Sequence, residues 1–140
     1  MGKDDFGDRI KALEQAEAGR MLMPLLPIMA RLDGRSFSQF TKDFARPFDK
    51  RMSDLMVEVT RCLVKESNAR IGYTQSDEIS LVMFSDNPDS QVYFNGKIQK
   101  IVSSLAALCS VQFNRLLPDF IPEKVDCPNV PTFDCRGWNV

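Results

Sequence analysis

Three carboxylates stand where carboxylates are costly. Asp33 ends the mostly apolar run IMARLDG, and Asp77 and Glu78 sit side by side in GYTQSDEIS, just before the apolar stretch Ile79 to Phe84. A carboxylate taken out of water without a partner loses free energy, so acids at the mouths of core-bound segments need a reason. The chain has no histidine, which removes Ser-His-Asp and Cys-His catalysis and every His-ligated metal. If Asp33, Asp77 and Glu78 cluster, the matching cation is hard, Mg²⁺ or Mn²⁺, bound by carboxylates and completed by water and phosphate oxygens. Two such ions about 3.5–4 Å apart stabilise the attacking and leaving oxygens of a phosphoryl transfer. Taken singly, each motif also has a plain structural reading: Asp-Gly after a strand is a turn, and Ser-Asp-Glu a solvated hairpin tip.

Two further groups could meet a phosphate. In DGRSFSQF, Gly34 permits a sharp turn. A helical turn starting near Arg35 or Ser36 would point free N–H groups outward, with Ser36 and Ser38 as further donors. The alternative is a capped helix start with Phe37 and Phe40 in the core. Lys97 and Lys100, three apart in a helical stretch, could reach a triphosphate as point charges or simply line a solvated face.

The elements that must position these residues follow from periodicity. Residues 4–18 carry Phe6, Ile10 and Leu13 at helical spacing before Gly19. IMARLDG predicts a first core strand closed by a tight turn. RSFSQFTKDFARPFD reads as a helical turn and a loop. From Asp49 to about Ser67 the apolar positions recur at helical steps, with Asp49 or Ser53 as cap. Residues 69–75 and 78–84 are two short strands, a second long helix spans about Gln91 to Leu117, and VPTFDCRGWNV is a last strand. The order strand, helix, strand, strand, helix, strand is the split βαβ plan, a four-stranded antiparallel sheet with both helices on one face. In that α+β, ferredoxin-like plan the first strand lies beside the middle hairpin, so Asp33 can meet Asp77 and Glu78 at one sheet edge.

Composition narrows the class. With 140 residues, 44% hydrophobic and 26% charged, the chain can bury the core of one domain. A net charge of −1 advertises no polyanion partner. Cys62, Cys109, Cys127 and Cys135 form no C-x-x-C pair and read as reduced small hydrophobes, which suits a cytoplasmic protein. MLMPLLPIMA is too short and too Pro-broken to span a membrane.

Five stretches together resemble the tRNA-His guanylyltransferase family, most closely its guanylyltransferase-like, 3′–5′ polymerase branch. They are RLDGRSFSQFT (31–41), ARPFDKRMSDLM (45–56), GYTQSDEISLVMF (72–84), FNGKIQKIVSSLAA (94–107) and PTFDCR (131–136). The resemblance implies a polymerase palm over residues 27–140, preceded by an N-terminal helix and apolar linker in residues 1–26. It implies a nucleotidyltransferase that adds nucleotides, preferring GTP, in the 3′–5′ direction to the 5′ end of tRNA. The chemistry would use two Mg²⁺ ions, with Mn²⁺ an acceptable substitute and GTP or ATP as substrates, in tRNA-His maturation or tRNA 5′-end repair. Carried over residue by residue, Asp33, Asp77 and the Gly34 carbonyl would be metal ligands, with Glu78 in support. Asp33, Gly34, Arg35, Ser36, Phe37 and Ser38 would wrap the triphosphate, Ser76 would touch the nucleotide, and Lys97 and Lys100 would neutralise phosphate. Ser38 stands where many members carry a histidine, so that contact does not transfer. Family members continue well past the position of Val140; a C-terminally truncated chain is expected to bind nucleotide and metal without full turnover. A homo-tetramer is also implied. Two rival readings use the same residues: a palm-type nucleotide cyclase, and a non-catalytic nucleotide- or RNA-binding module.

Overall fold

The computed structural model describes residues 4–140. Helix α1 (Asp5–Ala18) is capped by Asp4, whose side chain accepts from the Gly7 amide. Its residues Phe6, Ile10 and Leu13 are exposed, so its apolar stripe is not used in the core. Strand β1 (Ile28–Arg35) buries Ile28, Ala30 and Leu32 and turns Met29, Arg31 and Asp33 to the other face, as a period of two requires. After the one-turn helix α2 (Phe37–Phe40), helix α3 (Lys50–Ser67) starts at Asp49, whose carboxylate accepts from the Arg51 amide at 2.9 Å. It ends where Asn68 takes a left-handed conformation. Strands β2 (Ile71–Gln75) and β3 (Glu78–Met83) form a hairpin across a two-residue turn. Helix α4 (Ile98–Phe120) and strand β4 (Thr132–Asn139) complete the fold.

The sheet order is β2-β3-β1-β4, every pairing antiparallel. Helix α3 packs over β2 and α4 over β4, against each other on one face. This is the split βαβ plan that the element order predicts. Apolar residues of α3 (Leu55, Met56, Val59, Leu63) and α4 (Ile101, Leu105, Phe113) meet Leu32, Ile79 and Leu81 of the sheet. Towards the hairpin end the core is aromatic: the rings of Phe37, Phe40, Phe113 and Phe133 stack and tilt with centroids 5.1 to 5.8 Å apart. Leu105 is fully buried between the α4 and sheet layers. Leu105→Ala is expected to lower stability by about 2–5 kcal/mol, read as a shift in urea midpoint at unchanged m-value.

The second long helix differs from its expected bounds. It begins at Ile98 rather than near Gln91, because Phe94, Asn95 and Gly96 take φ values of 50°, 52° and 79°, which no right-handed helix accepts. It continues over Pro118 to Phe120, closed by the Ile121 amide donating to the Leu117 carbonyl. All four cysteines are free; Cys109 is buried and the other three are half-buried. Among the described residues no helix is long and apolar enough to cross a membrane.

Candidate active site

The sheet face turned away from the helices is a grid set by strand register. One row reads Ile71, Val82, Met29, Trp138; the next Tyr73, Ser80, Arg31, Arg136; the third Gln75, Glu78, Asp33, Asp134. Rows are about 6–7 Å apart, two residues along each strand. Asp33 therefore lies between two carboxylates, Glu78 on one side and Asp134 on the other. Like charges directly opposite each other destabilise a sheet, so this row stores repulsion that a cation relieves.

Asp77 joins from the turn. The Gly34 amide donates to the Asp77 carbonyl at 2.9 Å, which ties the end of β1 to the hairpin tip. Burial pushes the Asp77 carboxyl above the ordinary carboxylate range, and the charges of Asp33 and Glu78 push it further. Its own backbone amide and the Ser76 side chain pull the other way. A β-carbon on Gly34 would lie 2.9 Å from Asp77 Oδ2 and 2.6 Å from Phe37 Cδ1, so only glycine admits the carboxylate here. Ser76 and Ser36, on the two converging loops, both hold left-handed backbone, φ 56° and 57°. Strain of that kind in non-glycine residues concentrates at ligand sites.

The raised Asp77 carboxyl has a pH consequence. Its folded pKa lies above its unfolded value, so its contribution is absent at low pH and becomes destabilising as pH rises through that window. Metal-free Asp77→Asn should therefore melt higher than the parent chain at neutral pH, and the difference should vanish on acidification below the ordinary Asp range. A pair of thermal melts at neutral and acid pH measures this.

Beside the acidic edge opens a cleft of 660 Å³. Ser38, Ser76 and Asp77 line its inner end; Phe44, Ala45, Arg46, Phe48 and Asp49 form the far wall. Phe37 forms part of its floor, but its ring is 4% exposed and belongs to the aromatic core. Arg35 and Ser36 are exposed and do not line the cleft. The Asp49 carboxylate is already engaged by the Arg51 guanidinium, which holds it below the usual carboxylate range. Arg51 also pairs with Glu123, so the start of α3 is tied to the segment after α4.

Three expectations need revision. Asp33, Asp77 and Glu78 are neighbours, yet among the described residues no three acidic or thiol side chains converge into a ready metal cage. Glu78 is exposed at the start of β3, across from Asp33, and like charges there keep apart. Lys97 and Lys100 do not reach this edge. Val102 packs at Gly137 and Ser110 at Phe133, so α4 runs alongside β1 in the same direction and its start lies at the opposite end of the sheet from Asp33. Lys97 is the residue before the helix, bridged to Met21, and Lys100 sits over the Phe94 ring at 5.8 Å. The α2 turn is only four residues long, which leaves a weak dipole for a phosphate. Conversely, Asp134, Arg136 and the Phe44–Asp49 wall escape a reading of the sequence alone. The signal for Asp134 is its alternation with Phe133 and Cys135 once the last strand is placed beside the first.

The donors fit a hard divalent cation. They are oxygens only, Asp77 is desolvated next to two negative charges, and the space left by the missing Gly34 β-carbon is the cradle its carboxylate occupies.

The family model for tRNAHis guanylyltransferase matches residues 7–140. The chain belongs to the tRNA-His guanylyltransferase family. A tRNA(His) guanylyltransferase of Neurospora crassa is 32% identical over 132 residues, covering 91% of this chain and 43% of that protein. An uncharacterised protein of Acanthamoeba polyphaga mimivirus is 37% identical over 118 residues, covering 79% of this chain and 40% of its own length. Among solved structures, a bacterial tRNA(His) guanylyltransferase-like protein in complex with GTP superposes with TM-score 0.86 at 32% identity, over 98% of this chain and 59% of that one. The same kind of protein in complex with ATP gives 0.87. This guanylyltransferase-family chain thus spans about half the length of the relatives it matches.

Proposed function

We propose that this chain binds a nucleoside triphosphate with divalent cations at the acidic edge and acts as a nucleotidyltransferase on the 5′ end of tRNA. The observation that carries the reading is the junction of Asp33, Gly34 and Asp77 beside the 660 Å³ cleft. GTP is the preferred nucleotide, and addition runs in the 3′–5′ direction, in tRNA-His maturation or 5′-end repair in the cytoplasm. Relatives of this fold solved in complex with GTP and with ATP support nucleotide binding. Residues 27–140 act as the palm, with residues 1–26 as its appendage. The exposed apolar Phe6, Leu13 and Met23 support self-association.

Asp33 and Asp77 are the side chains that hold Mg²⁺ or Mn²⁺, with the Gly34 carbonyl as a backbone ligand and Glu78 beside them. When bound, two such ions neutralise the triphosphate and lower the cost of forming the attacking oxyanion. The chain's own residues do the rest. Gly34 lets the phosphates approach the backbone. Ser38 and Ser76 offer hydroxyls at the inner end of the cleft, while the Phe44–Asp49 wall faces the base and sugar. Holding the nucleotide this way presents its reacting atoms to an RNA end at the open sheet face and replaces a bimolecular encounter by a local one.

The test is incubation of labelled GTP, Mg²⁺ and a tRNA lacking its 5′-terminal nucleotide with the chain in excess over the RNA, so that a single addition is read without need of turnover. Label at the tRNA 5′ end is the expected result. A cyclic nucleotide formed without RNA points instead to the cyclase, and metal-dependent GTP binding with no transfer to a non-catalytic binding module; either outcome overturns the proposal.

A further inference from the structure

The acidic row already contains a cation. Arg136 Nη1 lies 3.3 Å from Asp134 Oδ1 and 4.0 Å from Asp33 Oδ2, so one guanidinium spans the two carboxylates. Its position follows from the register. Arg136 sits directly across from Arg31 in the neighbouring row, and repulsion between the two guanidinium groups drives the head of Arg136 towards the acids. Arg31 makes no such bridge, and its Nε is buried without a hydrogen-bond partner. Asp134 is two residues before Arg136 on the same strand face, so it travels with the guanidinium, whereas Asp33 is also one of the acids proposed to hold a divalent ion. The two contacts are unequal, and the shorter one is to the acid not assigned to the metal.

We infer that Arg136 is a resident counter-cation of the acidic row, and that Asp134 is the positioning residue that retains its guanidinium when a divalent cation takes Asp33. This rests on the reading of Asp33 and Asp77 as metal ligands. Without metal, Arg136 offsets the repulsion between Asp33 and Asp134. On metal entry the guanidinium gives up its longer contact and keeps the shorter, so that it neither competes for Asp33 nor leaves the row. Asp134 thus acts on the metal through Arg136 and not as a ligand.

The experiment is a Mn²⁺ titration of the 140-residue chain without nucleotide, followed by the paramagnetic resonance of free Mn²⁺, with circular dichroism melts confirming that each variant is folded. One half-exposed charge at this range changes affinity by about fivefold. Arg136→Gln is expected to tighten Mn²⁺ by about that factor, and Asp134→Asn to weaken it by clearly more than that factor, because its own negative charge is lost and the freed guanidinium moves onto Asp33. In the Arg136→Gln background only the lost charge remains, so the Asp134→Asn effect should shrink to about fivefold; the difference between the two backgrounds is the signature of a residue acting through its partner. Arg136→Lys, which keeps the charge, should restore near-parental affinity. If Asp134→Asn costs the same in both backgrounds, Asp134 acts on the ion only directly, by its charge or as a ligand, and the inference fails while the metal reading stands. If Asp33→Ala leaves Mn²⁺ affinity unchanged, the metal reading fails and takes the inference with it.

Discussion

Asp77→Ala is expected to abolish the proposed metal-dependent nucleotide transfer and to leave the chain folded, with a loss of roughly 10²–10³-fold or more, because metal stabilisation of a phosphoryl transfer supplies several kcal/mol of the barrier. The reason to expect function and fold to separate here is local. Asp77 lies in a two-residue turn, and the bond that fastens that turn to β1 runs from the Gly34 amide to the Asp77 carbonyl, a backbone oxygen that the substitution keeps. The side chain it removes is the one whose charge is disfavoured by burial and by Asp33 and Glu78. Melting temperature in the absence of metal should accordingly hold or rise while GTP binding in Mn²⁺ is lost. A parallel loss of melting temperature and binding would mean that the carboxylate is structural. Retained binding and transfer would remove Asp77 from the site.

Gly34→Ala should have the second largest effect, by a different route. The added methyl would sit 2.6 Å from Phe37 Cδ1 and 2.9 Å from Asp77 Oδ2. Phe37, the nearer neighbour, cannot yield freely because it is locked among three other rings, whereas the Asp77 carboxylate, the free end of its side chain, is pushed aside. Overpacking of this kind costs about 1–3 kcal/mol, a melting shift of roughly 3–12 °C at this chain length. Metal affinity should fall as well, because the Asp77 carboxylate is displaced from the cradle. Gly137→Ala is the control. Its β-carbon would meet Val102 Cγ1 at 3.5 Å and the Met29 carbonyl at 3.7 Å, ordinary contacts, so both readouts should stay at parental values. Equal damage from the two substitutions would show that loss of glycine flexibility, and not space at the acidic edge, is what matters.

How much of this is legible in the sequence depends on whether a residue's role is set by its near neighbours in the chain. Asp33 and Asp77 can be brought together from sequence because alternation along IMARLDG and EISLVM assigns faces, and the hairpin order assigns the edge. Helix α3 can be read to within a residue because its apolar spacing and its Asp49 cap are local signals. The distance of Lys97 and Lys100 from the acids is not legible. The break at Phe94 to Gly96 involves two non-glycine residues in left-handed conformation, which propensity does not anticipate. Asp134 is equally silent, because a lone aspartate in PTFDCR means nothing until the last strand is docked against the first.

Face, period and turn chemistry were written into the amino acids, since each depends on a handful of consecutive side chains and the backbone sterics they impose. The cleft wall from Phe44 to Asp49, the grip of Arg136 on two acids, and the placing of α4 so that its lysines lie far from Asp33 were settled by folding. Those features come from strand register and from how two helices share one sheet face, and register is a property of pairs of segments whose cross-strand contacts no single segment encodes.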